Sequence, residues 1–110
     1  MLRIYPVILE MLRELRPVLL ALERRDRDLA RQLRRAASSV ALNVDEGRRR
    51  EGKDRLHLFR IAAGSAAEVR TALRVAEAWG HLDGAQLGEA RALLDRELAM
   101  LWRLAHARVG

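Results

Sequence analysis

A chain of 110 residues with half its residues apolar and 33% charged has material for one buried core under a wet surface, which excludes both a disordered chain and a second domain. It contains no cysteine, so neither a disulfide framework nor a thiolate metal site is available and no oxidising compartment is needed. The 21 basic residues exceed the 15 acidic ones to give +6, a balance that favours polyanions or acidic partners, although all but Lys53 are arginine, a skew that genome composition also produces.

Only two prolines, few β-branched residues and an abundance of Ala, Leu, Arg and Glu predict helix nearly throughout. In the first segment Tyr5, Ile8, Leu12, Leu15, Leu19 and Leu22 form a stripe along one helix face. Pro6 suits a first turn, whereas Pro17 removes an interior hydrogen bond and should kink or split this helix. Its Arg3, Glu10, Arg13 and Glu14 interrupt the apolar residues, so the segment reads neither as a signal peptide nor as a membrane span, and the cytoplasm is the expected location.

Asp26 and Asp28 are candidate caps for a second helix, whose stripe runs through Leu29, Leu33, Ala36, Val40, Asn43 and Gly47. Gly47 and Gly52 bracket its end. The third helix is expected from about Lys53 to Trp79, and its broad apolar face, with Leu56, Phe59, Ala63, Ala66 and Leu73 beside Leu58, Ala62, Val69, Ala76 and Trp79, suits more than one neighbour. A stop and restart between Gly80 and Gly84, with Asp83 as a cap, precedes a fourth helix marked by Leu87, Leu94, Leu98, Leu101 and Ala105. Four helices and three short connections predict a single all-α domain over residues 1–110, an up-down-up-down bundle.

The stretch from Arg34 to Gly47, RRAASSVALNVDEG, resembles the signature of the 23S rRNA intervening-sequence protein family. Phe59, the AAGSAAE run from Ala62 to Glu68, Leu73, Ala76, Gly80 and Leu82 fall where that family's third helix and turn would place them. Asp45, where the pattern has a small residue, and Pro17 depart from it. The resemblance implies an antiparallel four-helix bundle assembled as a ring, usually a homopentamer, without catalytic activity. A related bundle, the accessory variability protein of diversity-generating retroelements, works with a reverse transcriptase and nucleic acid. RNA or DNA, and a protein such as a reverse transcriptase, are therefore the implied partners.

Two basic clusters stand out. Arg24, Arg25, Arg27, Arg31, Arg34 and Arg35 outnumber Asp26 and Asp28 at the first turn. Arg48, Arg49, Arg50, Lys53, Arg55 and Arg60 outnumber Glu51 and Asp54 at the second. In an up-down bundle these turns lie about 30 Å apart. The second cluster shares its end with both termini, so Arg48, Arg49, Arg50, Lys53, Arg55, Arg103 and Arg108, together with Arg3, form the preferred nucleic-acid surface, competing with a reading as a solvated basic loop. Tyr5, Phe59, Trp79 and Trp102 all sit where packing explains them, which leaves no stacking platform and predicts backbone-directed, salt-sensitive binding.

Folding the second and third helices about Arg49 or Arg50 should bring Glu68 near Arg31 and Ser65 near Arg34. With Asn43, an amide in an apolar stripe, and Glu46, these residues make a candidate structural network of Arg34, Asn43, Glu46, Ser65 and Glu68 that sets helix register. The small-residue run Ala62 to Ala67 contains Gly64, which costs about 1 kcal/mol against Ala inside a helix and so suggests close packing within the bundle or between subunits.

Catalytic options are thin. His57, His81 and His106 are scattered, and no Ser-His-Asp order or phosphate loop is present. Asp54 and His57 form one Asp-x-x-His pair, far short of the paired Glu-x-x-His motifs and extra glutamates of a di-metal bundle. The expectation is a protein with no enzymatic activity, cofactor or metal. It is an oligomer that binds nucleic acid or, alternatively, a scaffold for another protein.

Overall fold

A computed structural model describes residues 4–106. Four helices account for almost all of them: α1 (Ile4–Arg25), α2 (Arg27–Arg48), α3 (Gly52–Ala78) and α4 (Gly84–Ala105). No strand occurs among the described residues. Contacts join α1 to α2, α2 to α3, α3 to α4 and α4 back to α1, so the helices enclose one core in a rod of 46 × 22 × 19 Å.

Each helix contributes a heptad stripe. The buried positions of α1 are Ile4, Val7, Ile8, Met11, Leu15, Val18 and Leu22, and those of α2 include Ala30, Leu33, Ala37, Val40, Val44 and Gly47. Both stripes are turned slightly from the expected ones. Tyr5, Leu12, Leu19 and Leu29 become half-buried flanks, and Asn43 leaves the core for its edge. Large side chains come from α1 and α4. Alanines dominate the buried faces of α2 and α3, which lets those two backbones approach closely.

Pro17 does not split α1, which continues unbroken from Ile4 to Arg25. Pro17 lies on the exposed face, as does Arg13, whose carbonyl loses its partner there, so water can satisfy the freed group.

The helix ends follow local chemistry. Asp26 caps α2, its carboxylate accepting from the Leu29 N–H at 3.0 Å. Asp83 caps α4 in a reciprocal box with Gln86, both bonds being 2.9 Å. Asp28 is a first-turn residue of α2 and not its cap. Gly80, at φ +77°, ends α3 in the left-handed conformation that permits two return bonds, Gly80 N–H to Glu77 O at 3.0 Å and His81 N–H to Ala76 O at 2.9 Å.

Candidate nucleic-acid interface

At the α2–α3 turn the expected cations are present but largely engaged. Arg48 and Arg49 both donate to Asp45, at 2.7 and 2.9 Å, and Arg50 reaches Glu46 at 3.4 Å. Asp45, the departure from the family pattern, thus anchors two arginines. Arg55 donates to the carbonyls of Gly47 and Arg48 at 3.3 and 3.2 Å, closing the last turn of α2. Lys53, Arg60 and Arg103 are exposed and make no ion pair among the described residues. Arg3 and Arg108 lie outside the described residues.

The opposite end is different. His81 Nε2 lies 3.5 Å from Asp26 Oδ2, which puts the α3–α4 turn beside the α1–α2 turn. Arg24, Arg25, Arg27, Arg31 and Arg35 are exposed there and make no ion pair among the described residues. Only Arg34 is engaged, reaching Glu23 at 3.5 Å.

The proposed polar network is rearranged. Ser65 meets Ser39, hydroxyl to hydroxyl at 2.8 Å, five residues further along α2 than Arg34. The Asn43 amide donates to the Ser39 carbonyl at 2.9 Å and to its hydroxyl at 3.0 Å. Asn43, Ser39 and Ser65 therefore form a chain. Arg34 and Glu46 turn to Glu23 and Arg50, while Glu68 is exposed and makes no hydrogen bond or ion pair among the described residues. The expected register failed because Ser39 pairs with Ser65 and Gly47 faces Phe59, which centres the α2–α3 turn near Gly52 and not at Arg49 or Arg50. Ser39 was the missing member, legible only as one of two serines inside an apolar stretch.

Two aromatic expectations also change. Phe59 is buried and Tyr5 half-buried, but Trp79 is 71% exposed and Trp102 is 61% exposed. Each stacks on a histidine, Trp79 on His81 with centroids 6.4 Å apart and Trp102 on His106 at 4.4 Å. An α-helical stripe alone did not reveal this, because both tryptophans sit near helix ends, where a nearby histidine stacks on each but leaves most of the indole exposed.

Glu97 was not anticipated at all. It is fully buried in the α4 stripe, between Leu94 and Leu101, and neither carboxylate oxygen has a hydrogen-bond partner. Burial pushes its pKa up to about 8. The heptad spacing Leu87, Ala90, Leu94, Glu97, Leu101 carried the signal. Asp54 and His57, by contrast, are both exposed, and no group of three or more metal-ligating side chains occurs among the described residues. No described helix is long and apolar enough to cross a membrane.

Four helices closing on one core, with a surface dominated by arginine, define a small basic four-helix-bundle protein. The chain belongs to the 23S rRNA-intervening sequence protein family, whose sequence model matches residues 9–103. It is similar in fold to a protein of unknown function from the S23 ribosomal protein family of Bacteroides thetaiotaomicron, whose crystal structure was determined at 1.70 Å. The TM-score is 0.81 at 16% identity, over 94% of this chain and 99% of that one. No curated protein matches the chain.

Proposed function

We propose that the chain is a non-enzymatic accessory protein of the cytoplasm that forms an oligomer, a ring of five, and binds RNA or DNA through its basic surface. Within each subunit the helices run antiparallel, up-down-up-down. Pairing of Ser39 with Ser65 and of the later Gly47 with the earlier Phe59 supports that order.

The observation that carries the binding reading is the state of the cations. Lys53, Arg60 and Arg103 at one end and Arg24, Arg25, Arg27 and Arg31 at the other stand in water without a carboxylate partner among the described residues. The pairs of Arg48, Arg49 and Arg50 are half-exposed neighbours on one helix, worth little in water and readily exchanged for phosphate. A ring multiplies this charge around a rim and converts weak contacts into avidity for any polyanion that spans subunits.

Assembly is supported by surface that the single bundle leaves uncovered. Leu42 is 69% exposed, Ile61 on α3 is also exposed, and a Cβ built on Gly64 meets nothing within 4 Å. Close packing inside the bundle therefore does not explain Gly64. An approaching subunit does.

Duplex RNA titrated at about 50 mM salt should bind, with affinity falling steeply as salt rises and with little sequence preference. Replacing Arg48, Arg49 and Arg50 together by Ser should weaken all sequences equally and flatten the salt slope. A parent protein that binds neither RNA nor DNA under these conditions would leave a protein scaffold as the function.

A further inference from the structure

The end of the bundle opposite the Arg48 to Arg50 loop carries an open cleft of about 580 Å³, lined by Arg24 and Arg25 of α1, by Gly80, His81 and Asp83 of the α3–α4 turn and by Gln86 of α4. Its architecture is fixed by local structure. Gly80 in the left-handed conformation and the His81 N–H bond to Ala76 O set the direction of the turn, and buried Leu82 pins the next residue into the core. Trp79, the last residue before Gly80, is thereby held outward with 71% of its surface in water. Trp79 does not itself line the cleft, but His81, which does, stacks beside it at 22° with ring centroids 6.4 Å apart, so the indole stands next to the cleft on the His81 side.

A large aromatic left this exposed at a defined turn loses hydrophobic stabilisation and calls for an occupant. The chemistry around it indicates which. Arg24 and Arg25 have no ion-pair partner among the described residues. Asp26 and Asp83 each direct one carboxylate oxygen to the N–H group that it caps, on α2 and α4, where the positive helix ends offset their charge, and the second oxygen of Asp26 lies 3.5 Å from His81 Nε2. What remains open to a ligand is one indole face with two guanidinium groups across a histidine. Stacking faces beside phosphate-seeking cations are the recognition chemistry of unpaired nucleotides, whose bases are free to leave the strand.

We propose that this cleft is a binding site for single-stranded nucleic acid, with one base stacked on Trp79 and the adjoining phosphates held by Arg24 and Arg25. The inference rests on the nucleic-acid reading above but assigns a different end of the bundle and a different strand state. It makes the protein a two-ended binder, one end taking polyanions by charge alone and the other selecting unpaired segments.

The test reads affinity from the fluorescence anisotropy of labelled RNA, and follows quenching of Trp79 in the Trp102→Phe protein, where it is the one tryptophan. A single-stranded RNA of about 12 nucleotides and its duplex are titrated in parallel. The single strand should quench Trp79, and Trp79→Ala should weaken its binding about tenfold while leaving duplex binding unchanged. Trp79→Phe, which keeps a stacking face, should restore most of the loss. Replacing Arg24 and Arg25 by Ser should flatten the salt dependence for both strand forms and weaken the single strand more than the duplex. If Trp79→Ala bound the single strand as its parent does while the duplex still bound, this site would be wrong and the broader reading would stand. If Trp79→Ala changed the size of the assembly without changing single-strand affinity, the indole would belong to a subunit contact. If neither strand form bound the parent, both readings would fail.

Discussion

A Cβ placed on Gly47 would lie 2.7 Å from Phe59 Cε1 and 2.9 Å from its Cδ1. Gly47 is buried near the end of α2, and the Phe59 ring of α3 occupies the space that any side chain there would need. Helix propensity favours Ala over Gly by about 1 kcal/mol, but forcing the ring aside in a packed core costs typically 1–3 kcal/mol. Gly47→Ala should therefore lower stability by up to about 2 kcal/mol in a denaturant titration. In a Phe59→Leu background the same change should be close to neutral or stabilising, and a penalty of undiminished size there would show that the ring is not the cause.

Gly64 should respond in the opposite sense. Its Cβ direction is open, so Gly64→Ala raises the stability of the isolated bundle by about 1 kcal/mol. At the proposed subunit contact the added methyl group should also loosen the assembly, read by light scattering across a concentration series. A higher melting temperature with unchanged assembly would place the subunit contact elsewhere.

Glu97 should make the bundle sensitive to alkali. Its folded pKa of about 8 lies above the ordinary value of 4.5, so between those values the folded state binds a proton that the unfolded chain releases. Stability from this group is complete below about pH 4.5, declines as pH rises to about 8 and then levels off, a loss on the order of 5 kcal/mol. Glu97→Leu should abolish most of that slope and raise the melting temperature at high pH. A parent whose unfolding midpoint is the same at pH 5 and pH 8 would show the carboxyl to be hydrated or paired.

The Ser39–Ser65 bond ties α2 to α3, and Asn43 braces Ser39 from one turn away. Ser39→Ala or Ser65→Ala should each cost about 1 kcal/mol, the former somewhat more because it also removes the bond from Asn43, and the double variant should lose less than the sum because both changes remove the same Ser39–Ser65 bond. Asn43→Leu should disturb assembly or helix register more than it lowers stability. Strict additivity of the serine variants would mean that the two hydroxyls act independently.

Arginines 31, 34 and 35 should matter little to stability. Arg34 meets Glu23 in an exposed pair at 3.5 Å, and Arg31 and Arg35 make no ion pair among the described residues, so replacing all three by Ser should cost less than about 1 kcal/mol in thermal or chemical unfolding. A larger loss would point to contacts made by their aliphatic stems.

The number of helices, their boundaries within a few residues and the caps Asp26 and Asp83 were all legible in the sequence. Those features depend on interactions within one or two turns of chain, where spacing and side-chain chemistry act directly. The family signature from Arg34 to Gly47 was legible for the same reason. The sequence also showed that Gly47, Gly64, Asn43 and the arginine clusters were unusual. It could not show why, since each of those answers depends on what a neighbouring helix presents. Closure of the α2–α3 turn near Gly52 paired Ser65 with Ser39, and Arg34 went to Glu23. The rotation of each helix about its axis moved Asn43 to the core's edge, buried Glu97 between two leucines and left Trp79 in water. Periodicity defines a stripe only to within about one residue, roughly 100° of helix rotation, whereas burial changes from complete to slight over that same angle. Packing of all four helices together was needed to decide it.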